Sequence, residues 1–422
     1  MPSKSEPIII VGAGAFGLSL AHELAANRGY TDVTVLDRHL PPVPDGSSVD
    51  VSRVIRSEYA DPLYASLGRE AIEKWASPEW SEHYHEAGFL IFANGQGHPY
   101  FDACLQAAAG RKLFSGDQID ADINQLYPTV NAMTAGKVAM DSPQGGWAHA
   151  KNAIAGLAER ASQAGVTFIT GSRGKVVELL QEGNKVQGVR TAGGATLSAP
   201  TVVLATGAWT NRFMPKLEHN LSATGQVLGF IQLTPEEVQR YKDVPVMINL
   251  STGVFTFPPT PDTHQIKIAR HGYGYQSSMR ASDDRAISSP RDSLTKYIPR
   301  EAAEALQHGI AEFYPEFAGR PWCNTRLCWY MDTPDGDFLA DYHPDIEGLF
   351  FATGGSGHAF KFLPVLGRHV ADCFERKAHP DLQKKWKFHT VTERPRTLVM
   401  GSDGSRGGPP LRKLSDAEQA KL

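Results

Sequence analysis

The sequence predicts an α/β protein built from two interleaved domains. Its 422 residues are too many for one ordinary hydrophobic core. Three apolar strand-like runs, at residues 8–11, 201–205 and 349–352, each lead into a glycine turn, although they lie far apart along the chain. Between the second and the third lie alternating apolar and polar stretches that are typical of half-buried strands. We therefore expect one domain assembled from distant segments and a second, sheet-based domain.

Composition and charge argue against several classes of partner. The chain is 41% hydrophobic and 21% charged with a net charge of −4, so we expect neither nucleic acid nor a membrane surface as its partner. No apolar run of the sequence approaches the ~20 residues of a membrane-spanning helix. The N-terminal residues lack the apolar stretch of a secretory signal. We expect neither disulfides nor a metal site, because no short paired spacing joins the four cysteines, Cys104, Cys323, Cys328 and Cys373.

A glycine turn near the N-terminus predicts a dinucleotide site. A short apolar strand is followed by the motif Gly-Ala-Gly-Ala-Phe-Gly, a helical pattern, and a second apolar strand that ends in an acid. Gly12 permits the tight turn, Gly14 lets backbone N–H groups approach a pyrophosphate, and Gly17 lets the helix pack closely. Asp37 would accept hydrogen bonds from the ribose hydroxyls of an adenosine and would repel a 2′-phosphate. We therefore expect a Rossmann-type domain.

The other two strand-to-glycine junctions favour FAD over NAD. The second strand ends at Gly207, and the third ends at a run that includes Gly355 and Gly357 before a further helix. Glycines at the third junction would let backbone amides reach the pyrimidine edge of a flavin. Three such junctions across the chain fit an FAD-binding domain, and a nicotinamide-dependent enzyme remains the alternative.

The coarse pattern also predicts domain limits. We expect a discontinuous FAD-binding domain formed by residues 1–90, 146–220 and 322–391. Residues 91–145 and 221–321 would form the substrate or catalytic domain, in which a sheet is floored by helices.

The last stretch of the chain, residues 392–422, is predicted to be an exposed tail. It is rich in glycine, proline, arginine and serine. Its final residues, Ala420-Lys421-Leu422, are a variant of the Ser-Lys-Leu peroxisomal signal, which an import receptor reads at a free C-terminus. We expect this receptor as a partner and a peroxisomal location, with a cytoplasmic location as the alternative.

Together these residues resemble the monomeric sarcosine oxidase family, in the broad sense that includes fungal fructosyl amino acid oxidases and pipecolate or saccharopine oxidases. The likeness runs from the glycine turn to Lys361 and is most specific in Gly146–Ala150, Arg326–Asp335 and Gly354–Phe362. It implies oxidation of the carbon–nitrogen bond of an amino-acid-type amine, with dioxygen as the acceptor and an imine and hydrogen peroxide as products. It also implies an FAD domain under a sheet-roofed catalytic domain, and we expect a monomer.

Within this resemblance, Cys328 matches the cysteine that binds the flavin covalently. A thiolate can add to the electron-poor edge of the ring, and the alternative is a buried structural cysteine. Lys267 lies on an otherwise apolar strand, where a charge is costly unless it has a partner. The resemblance places it beside the flavin, where it stabilises reduced dioxygen through a water. The alternative is a lysine on the solvent face of the strand.

The resemblance also implies a substrate clamp. Arg56 and Lys361 match the pair that binds the substrate carboxylate, for which the planar fork of arginine is well suited. Arg53 would lie near the flavin ring, and His271 matches an active-site histidine. A surface ion pair is the alternative for either arginine, and a structural role is the alternative for the histidine. The remaining assignments are Tyr330 at the substrate and, at the cofactor, His358 and Lys361.

The substrate itself is left open by the sequence. Fructosyl amino acid oxidases usually carry an acid where this chain has Arg270, and they tend to lack an arginine at position 56. These departures favour a small secondary amino acid, such as an N-methyl amino acid or pipecolate, or a dicarboxylic amine such as saccharopine. Arg270 could serve a second carboxylate in the last case. A fructosyl amino acid oxidase, a biosynthetic oxidase that forms an iminium, and a flavin dehydrogenase with a protein acceptor remain alternatives.

Overall fold

The computed structural model describes residues 2–108, 110–281, 283–389 and 400–422, which form two large sheets. The first sheet has six strands, in the order Leu339–Tyr342, Leu349–Thr353, Thr201–Leu204, Ile8–Val11, Val33–Leu36 and Thr167–Ile169. Neighbouring strands are parallel except at the edge, where the first strand of this order is antiparallel to the second. The three strand-to-glycine junctions therefore meet side by side, as the sequence predicts.

Both faces of this sheet are covered. Ile8 and Ile10 belong to the core shared with the helices, whereas Ile9 and Val11 belong to the core on the opposite face. Because both faces are buried, the strand is apolar at all four positions. The helices that contribute to the first core are Ala15–His22, Pro62–Trp75, Ala150–Gln163 and Leu363–Phe374. A three-stranded sheet contributes to the second core, with strands Val176–Glu182, Lys185–Thr191 and Thr196–Ser198.

The second large sheet has ten strands. Nine follow one path, in the order Arg412–Lys413, Tyr275–Gln276, Ser222–Gln232, Gln265–Arg270, Val254–Thr256, Val246–Asn249, Phe89–Asn94, Lys137–Ser142 and Leu113–Phe114. The tenth, Asn324–Asp332, pairs with Ser222–Gln232 from the other side. Helix Arg300–Phe313 packs on this sheet and shares a core with Ile266 and Ile268.

A smaller sheet connects the two halves of the molecule. Its strands are Arg53–Ile55, Gly146–Ala148 and Tyr84–His85. A separate hairpin pairs Met279–Arg280 with Ala286–Ile287. The remaining α-helices are Pro99–Ala107, Ile119–Leu126, Thr210–Phe213, Pro235–Tyr241, Pro380–Trp386 and Asp416–Gln419. In the described ranges no helix is both long and apolar enough to cross a membrane, and no group of three or more His, Cys, Asp or Glu is placed to hold a metal.

The strand that carries Cys328 differs from its predicted place. Residues 322–332 were assigned to the cofactor domain, but Asn324–Asp332 forms a continuous ladder with Ser222–Phe230 in the second sheet. Similarly, Phe89–Asn94 lies in that sheet and begins one residue before the predicted limit at residue 90. An alternating pattern identifies a strand but does not indicate which of two sheets the strand joins.

The expectation of an exposed C-terminal tail does not hold for residues 400–422. Ser405, Arg406 and Leu414 are buried, and Arg412–Lys413 adds a parallel strand to the edge of the second sheet. A segment rich in Gly and Ser is typical of disorder, but here Gly407 lets the backbone pass close to Gly253. Residues 390–399 of the predicted tail lie outside the described residues.

Candidate cofactor and active site

The glycine turn after the first strand has no room for side chains. Gly12 has a φ of +112°, and a Cβ at this position would lie 2.4 Å from the carbonyl oxygen of Ala205. A Cβ on Gly17 would lie 1.9 Å from the Gly12 carbonyl oxygen. Helix Ala15–His22 begins directly after the turn, so the positive end of its dipole faces an anion bound there, and the Ala15 N–H donates to the Ser48 hydroxyl oxygen at 2.9 Å.

A cleft with about 1330 Å³ of empty space, its open mouth included, lies at the carboxyl ends of the parallel strands. The cleft is lined by Asp37, the acid predicted for the cofactor, and by five of the six predicted glycines: Gly12, Gly14, Gly207, Gly355 and Gly357. Gly17 lies behind the turn, where the helix approaches the strand. The structure therefore brings the predicted cofactor residues of all three junctions into one space.

Asp37 has a fixed orientation at the end of its strand. Its Oδ2 accepts a hydrogen bond from the Ala13 backbone N–H at 2.8 Å, and its Oδ1 accepts one from His39 at 3.3 Å. Burial raises the pKa of Asp37, and the hydrogen bond from Ala13 opposes this rise. A glycine cradle with an acid at this place fits the adenosine diphosphate half of a dinucleotide.

A second cavity, with about 780 Å³ of empty space including its opening, adjoins the cleft. Arg53, Tyr330, Gly357 and Phe360 line both spaces. The second cavity is also lined by the other predicted catalytic and substrate residues, Arg56, Lys267, His271, Cys328 and Lys361. The second sheet brings two of them together, because strand Ser222–Gln232 pairs with the strand of Lys267 on one side and with the strand of Cys328 on the other.

Lys267 belongs to a buried charge cluster. Its side chain is 2% exposed, and its Nζ lies 2.6 Å from Oδ2 of Asp50 and donates to the Ser52 carbonyl oxygen at 2.7 Å. Asp50 also pairs with Arg53, and with Arg326 at 3.2 Å. Burial lowers the pKa of Lys267 to about 7, although Asp50 opposes this change. The solvent-face alternative for this lysine is therefore wrong.

The predicted clamp residues, Arg56 and Lys361, are two basic side chains that make no ion pair within the described part of the chain. Among the described residues, no carboxylate lies within ion-pair distance of Arg56 or Lys361. The Arg56 guanidinium lies 4.4 Å from the centre of the Tyr59 ring, and Lys361 Nζ donates to the His358 carbonyl oxygen at 2.8 Å. Burial and the charge of Arg56 hold the pKa of Lys361 well below its ordinary value. Two such cations facing a cavity are suited to an anionic ligand.

His358 lies at the second cavity and does not line the cofactor cleft. One ring nitrogen is 3.0 Å from the Tyr59 hydroxyl, and the other is 2.8 Å from the Gly336 carbonyl oxygen. These two bonds fix the imidazole at the second cavity, next to Gly357, which lines both spaces. Its contact with the cofactor stays a prediction.

His271 and Tyr330 face each other across the second cavity. Their ring centres are 6.2 Å apart, and Nε2 of His271 is 3.1 Å from the Ser405 hydroxyl oxygen. Desolvation and the charges of Arg406 and Arg56 hold the pKa of His271 well below its ordinary value. The imidazole is therefore neutral near pH 7.

Arg270 lines the cavity but is already paired. Its guanidinium donates to the Tyr275 hydroxyl at 2.7 Å and lies 3.3 Å from the Glu301 carboxylate. The hypothesis that Arg270 serves a second substrate carboxylate is therefore not supported, because that ligand would have to displace Glu301.

Cys328 differs from the other cysteines in its surroundings. It lines the second cavity, and Nη2 of Arg53 lies 3.7 Å from its Sγ. Cys104 and Cys373 are buried, where desolvation raises the pKa of their thiols, and Cys323 is exposed. Cys328 is therefore a half-buried thiol that faces the second cavity with a cation beside it.

Sequence reasoning missed several residues of the site. Asp50 stands between Val49 and Val51 in a stretch that otherwise consists of serines and Arg53, so the sequence gives no clear sign of its burial. Ser405 and Arg406 could not be found either, since the composition of their segment is typical of disorder.

A glycine-cradle cleft that opens into a cation-lined cavity, built from a parallel sheet and a second large sheet, defines a dinucleotide-binding protein with an adjoining site for a small ligand. Its family is shown by comparison with known proteins: the chain belongs to the FAD dependent oxidoreductase family, whose model matches residues 7–373.

Individual relatives cover nearly the whole chain. L-Saccharopine oxidase of Schizosaccharomyces pombe is 33% identical over 409 residues, which cover 91% of this chain and 92% of that protein. Peroxisomal sarcosine oxidase of Mus musculus is 26% identical over 369 residues, covering 85% and 90%. The solved structure of the deglycating fructosamine oxidase Amadoriase II from Aspergillus fumigatus is similar with a TM-score of 0.87 and 32% identity, covering 98% and 96%.

These similarities confirm three predictions, namely the resemblance to sarcosine oxidases and fructosyl amine oxidases, the α/β fold class, and the use of FAD by an oxidoreductase. The nicotinamide alternative is therefore excluded. The FAD assignment agrees with the geometry, because the cleft supplies the glycine cradle and the acid, and the cations lie where the cleft meets the second cavity.

Proposed function

We propose that this protein is an oxidase for a secondary amine that carries a carboxylate, and that the second cavity is its substrate site. The reaction class, FAD-dependent oxidation of a secondary amino-acid amine, is confirmed by the saccharopine and sarcosine oxidases among its relatives. The observation that carries the proposal is the pair formed by Arg56 and Lys361, two cations without a described acidic partner beside the cofactor cleft. L-Saccharopine is the first substrate to test, because the oxidase named for it covers most of this chain.

The residues of the cavity would bind and orient the substrate. Arg56 and Lys361 hold its carboxylate, and the surrounding positive charge disfavours a protonated amine, so the amine binds in its neutral form. FAD, when bound, supplies a two-electron acceptor that takes a hydride equivalent from the substrate and returns the electrons to dioxygen. A fixed carboxylate then sets the distance and angle of the reacting C–H bond, from which much of the rate derives.

Lys267 would act in the oxidative half of the reaction. Its ammonium lies beside Asp50 and Arg53, in a cavity that joins the cofactor cleft. A positive charge at this place stabilises the negative charge that develops on dioxygen as it takes up electrons. The overall change is the loss of two electrons and two protons by the amine, which gives an imine, and their gain by dioxygen, which gives hydrogen peroxide.

We also propose that Cys328 binds the flavin covalently as a thioether. Support comes from its position in the second cavity near Arg53, and from the contrast with the three other cysteines, which line neither space. The thioether would replace one C–H bond of the flavin's C8 methyl group with a C–S bond, and the two electrons and two protons released with it would pass to the flavin itself and then to dioxygen. Arg53 lies beside the sulfur that forms this bond.

We propose that the protein is imported into peroxisomes and that it is a monomer. The support is the final tripeptide, in which Ala420 and Lys421 are exposed, together with the peroxisomal sarcosine oxidase among the relatives. A fluorescent fusion at the N-terminus should be imported and one at the C-terminus should remain in the cytoplasm. Light scattering of the purified protein should give the mass of one chain, 46.0 kDa.

The decisive experiment is a panel of amines offered to the purified protein. L-Saccharopine, sarcosine, pipecolate and a fructosyl amino acid are each mixed with it without oxygen, and flavin bleaching is followed; peroxide is then measured in air. Bleaching by a carboxylated secondary amine and stoichiometric peroxide are expected. The fructosyl amine is the second candidate because of the fructosamine oxidase structure. Bleaching without peroxide formation would instead indicate a dehydrogenase with another electron acceptor.

A further inference from the structure

We propose that the C-terminal segment Asp403–Arg406 is part of the active site, and that Ser405 and Asp403 are positioning residues that fix the tautomer of His271. The inference rests on the proposed function, because it takes the second cavity as the place where the amine binds. The relay from Asp403 through Ser405 to His271 would give the imidazole one defined hydrogen-bonding pattern toward that amine.

The segment is held in place by a buried ion pair. The Arg406 and Asp332 side chains are 1% and 0% exposed, and Nη2 of the arginine lies 2.6 Å from Oδ1 of the aspartate. The same guanidinium donates to the Gly272 carbonyl oxygen at 2.8 Å and to that of Ser356 at 3.2 Å. A buried charge pair persists only when further hydrogen bonds satisfy it, and these do so. Arg406 therefore connects the segment to the Cys328 strand, to the loop after His271 and to the third glycine turn.

Backbone hydrogen bonds extend this attachment. Gly407 donates to the His271 carbonyl oxygen at 3.2 Å, and Gly401 donates to that of Thr333 at 2.8 Å. A Cβ on Gly407 would lie 2.3 Å from the Gly253 backbone nitrogen, so only glycine permits this approach. The segment is consequently fixed at both ends, and its side chains have a defined place beside the cavity.

The hydrogen bonds of Ser405 have a defined direction. The Ser405 hydroxyl lies 2.8 Å from both carboxylate oxygens of Asp403, and the Ser405 backbone N–H donates to Oδ1 at 3.2 Å. An ionised carboxylate only accepts, so the single hydroxyl proton of Ser405 must be donated to Asp403. The oxygen of Ser405 then accepts from His271, which is possible only if Nε2 carries the ring proton.

This direction determines what His271 can offer to a substrate. A neutral imidazole with its proton on Nε2 has a lone pair on Nδ1. Such a nitrogen can accept a hydrogen bond from the N–H of a secondary amine, but it cannot donate to the lone pair of the amine nitrogen. That lone pair therefore stays available to assist the departure of hydride from the neighbouring carbon. The relay thus favours a bound amine that is neutral and ready to react.

The charges around His271 agree with a neutral ring. After desolvation, the charges of Arg406, Arg56, His358 and Lys361 lower the pKa of His271, and each of these groups is a cation or can become one. Asp403 is the acid of the relay and reaches the imidazole only through Ser405. Protonation of His271, which would add a positive charge to those of its neighbours, is therefore disfavoured at neutral pH.

The tautomer can be tested directly on the full-length holoenzyme. In protein labelled with ¹⁵N-histidine, the His271 resonances are assigned as those absent from His271→Gln. The two ring nitrogens should show the Nε2-protonated form in wild type and a mixture of forms in Ser405→Ala. An Nδ1-protonated ring in wild type overturns the proposal, whatever the outcome of the substrate panel.

The rate of flavin reduction tests whether this hydrogen-bond relay matters for the reaction, and conservative variants that keep the relay serve as the comparison. Ser405→Ala should slow anaerobic flavin reduction about five- to tenfold, the effect of one lost hydrogen bond, and leave reoxidation by oxygen unchanged. Ser405→Thr keeps the hydroxyl and Asp403→Asn keeps an acceptor, so both variants should retain most of the wild-type reduction rate. Asp403→Ala should be slowed like Ser405→Ala. Lys413→Ala, an exposed change in the same C-terminal region, is the control and should match wild type.

The outcomes separate this inference from the proposed function. If no amine reduces the wild-type flavin, the proposed function fails, and the tautomer measurement still decides the present inference. If amines reduce the wild-type flavin but Ser405→Ala reduces it at the same rate, the positioning role is wrong. Equal slowing of reduction and reoxidation, with no recovery in Ser405→Thr, would show a purely structural segment and would also overturn it.

Discussion

Lys267 and Asp50 form a buried ion pair at the place where the two halves of the molecule meet. The Nζ and Oδ2 atoms are 2.6 Å apart, and the side chains are 2% and 1% exposed. Asp50 also forms ion pairs with Arg53 and Arg326, so three basic side chains share one carboxylate. Burial alone would raise the pKa of Asp50, but these charges hold it below its ordinary value. The cluster thus keeps excess positive charge next to the cofactor cleft.

The first prediction concerns Lys267. Lys267→Met should slow reoxidation of the reduced flavin about 100-fold or more, the typical loss when one preorganised charge-stabilising group is removed. Flavin reduction by the amine should change much less, because that step does not create a negative charge on dioxygen. Stopped-flow absorbance separates the two steps. Lys185→Met, at an exposed lysine, is the matched control; a loss of the same size in both half-reactions would remove the assigned role.

The second prediction concerns the pH dependence of reoxidation. Since burial lowers the pKa of Lys267 to about 7, its ammonium is lost as pH rises through this region, and reoxidation should slow in the same window. Asp50 raises the pKa of Lys267, so Asp50→Asn should move the midpoint to lower pH. The variant should also be less stable by about 3 kcal/mol or more, because three cations lose their partner. Reoxidation rates across pH and a thermal unfolding curve measure both effects. An unmoved midpoint in Asp50→Asn would contradict the coupling.

The third prediction tests the carboxylate clamp with paired substrates. Arg56→Gln should weaken binding of the carboxylated amine about 10- to 100-fold, the usual cost of a lost charge-assisted hydrogen bond. The methyl ester of the same amine has no carboxylate charge, so it should bind weakly to the wild-type protein. Its affinity should fall little further in Arg56→Gln. The substrate dependence of the reduction rate gives both affinities. Equal losses for acid and ester would mean that Arg56 does not contact the carboxylate.

Much of this site could be predicted from local sequence, and the reasons are physical. Gly12 and Asp37 could be recognised because a phosphate turn imposes steric demands that few residues satisfy. The place of the Cys328 strand in the second sheet could not be predicted, since strand pairing depends on partners about a hundred residues away. The burial of Arg406 could not be predicted either, because its partner Asp332 lies in a different segment and composition does not indicate which residues pair.

The fourth prediction concerns substrate affinity at high pH. The pKa of Lys361 is held well below its ordinary value by burial and by Arg56, so its charge is lost at a lower pH than that of a free lysine. Binding of a carboxylate inhibitor should therefore weaken with rising pH well before an ordinary lysine would lose its charge. In Lys361→Arg the guanidinium remains charged, so the decline should move to higher pH. Inhibitor titrations followed by flavin absorbance measure this, and identical pH profiles in the two proteins would exclude Lys361 from the clamp.

The fifth prediction tests the covalent link. In acid-precipitated wild-type protein the yellow colour should stay with the pellet, and in Cys328→Ala it should pass to the supernatant. The variant should still bind FAD, because the glycine cradle and Asp37 are unchanged, but its flavin should be reduced more slowly because a thioether raises the potential of the ring. Cys323→Ala, at the exposed cysteine, is the matched control and should keep its colour in the pellet. Colour retained in the pellet of Cys328→Ala would assign the attachment to another residue, and colour released from wild type would show that FAD is held by noncovalent contacts alone.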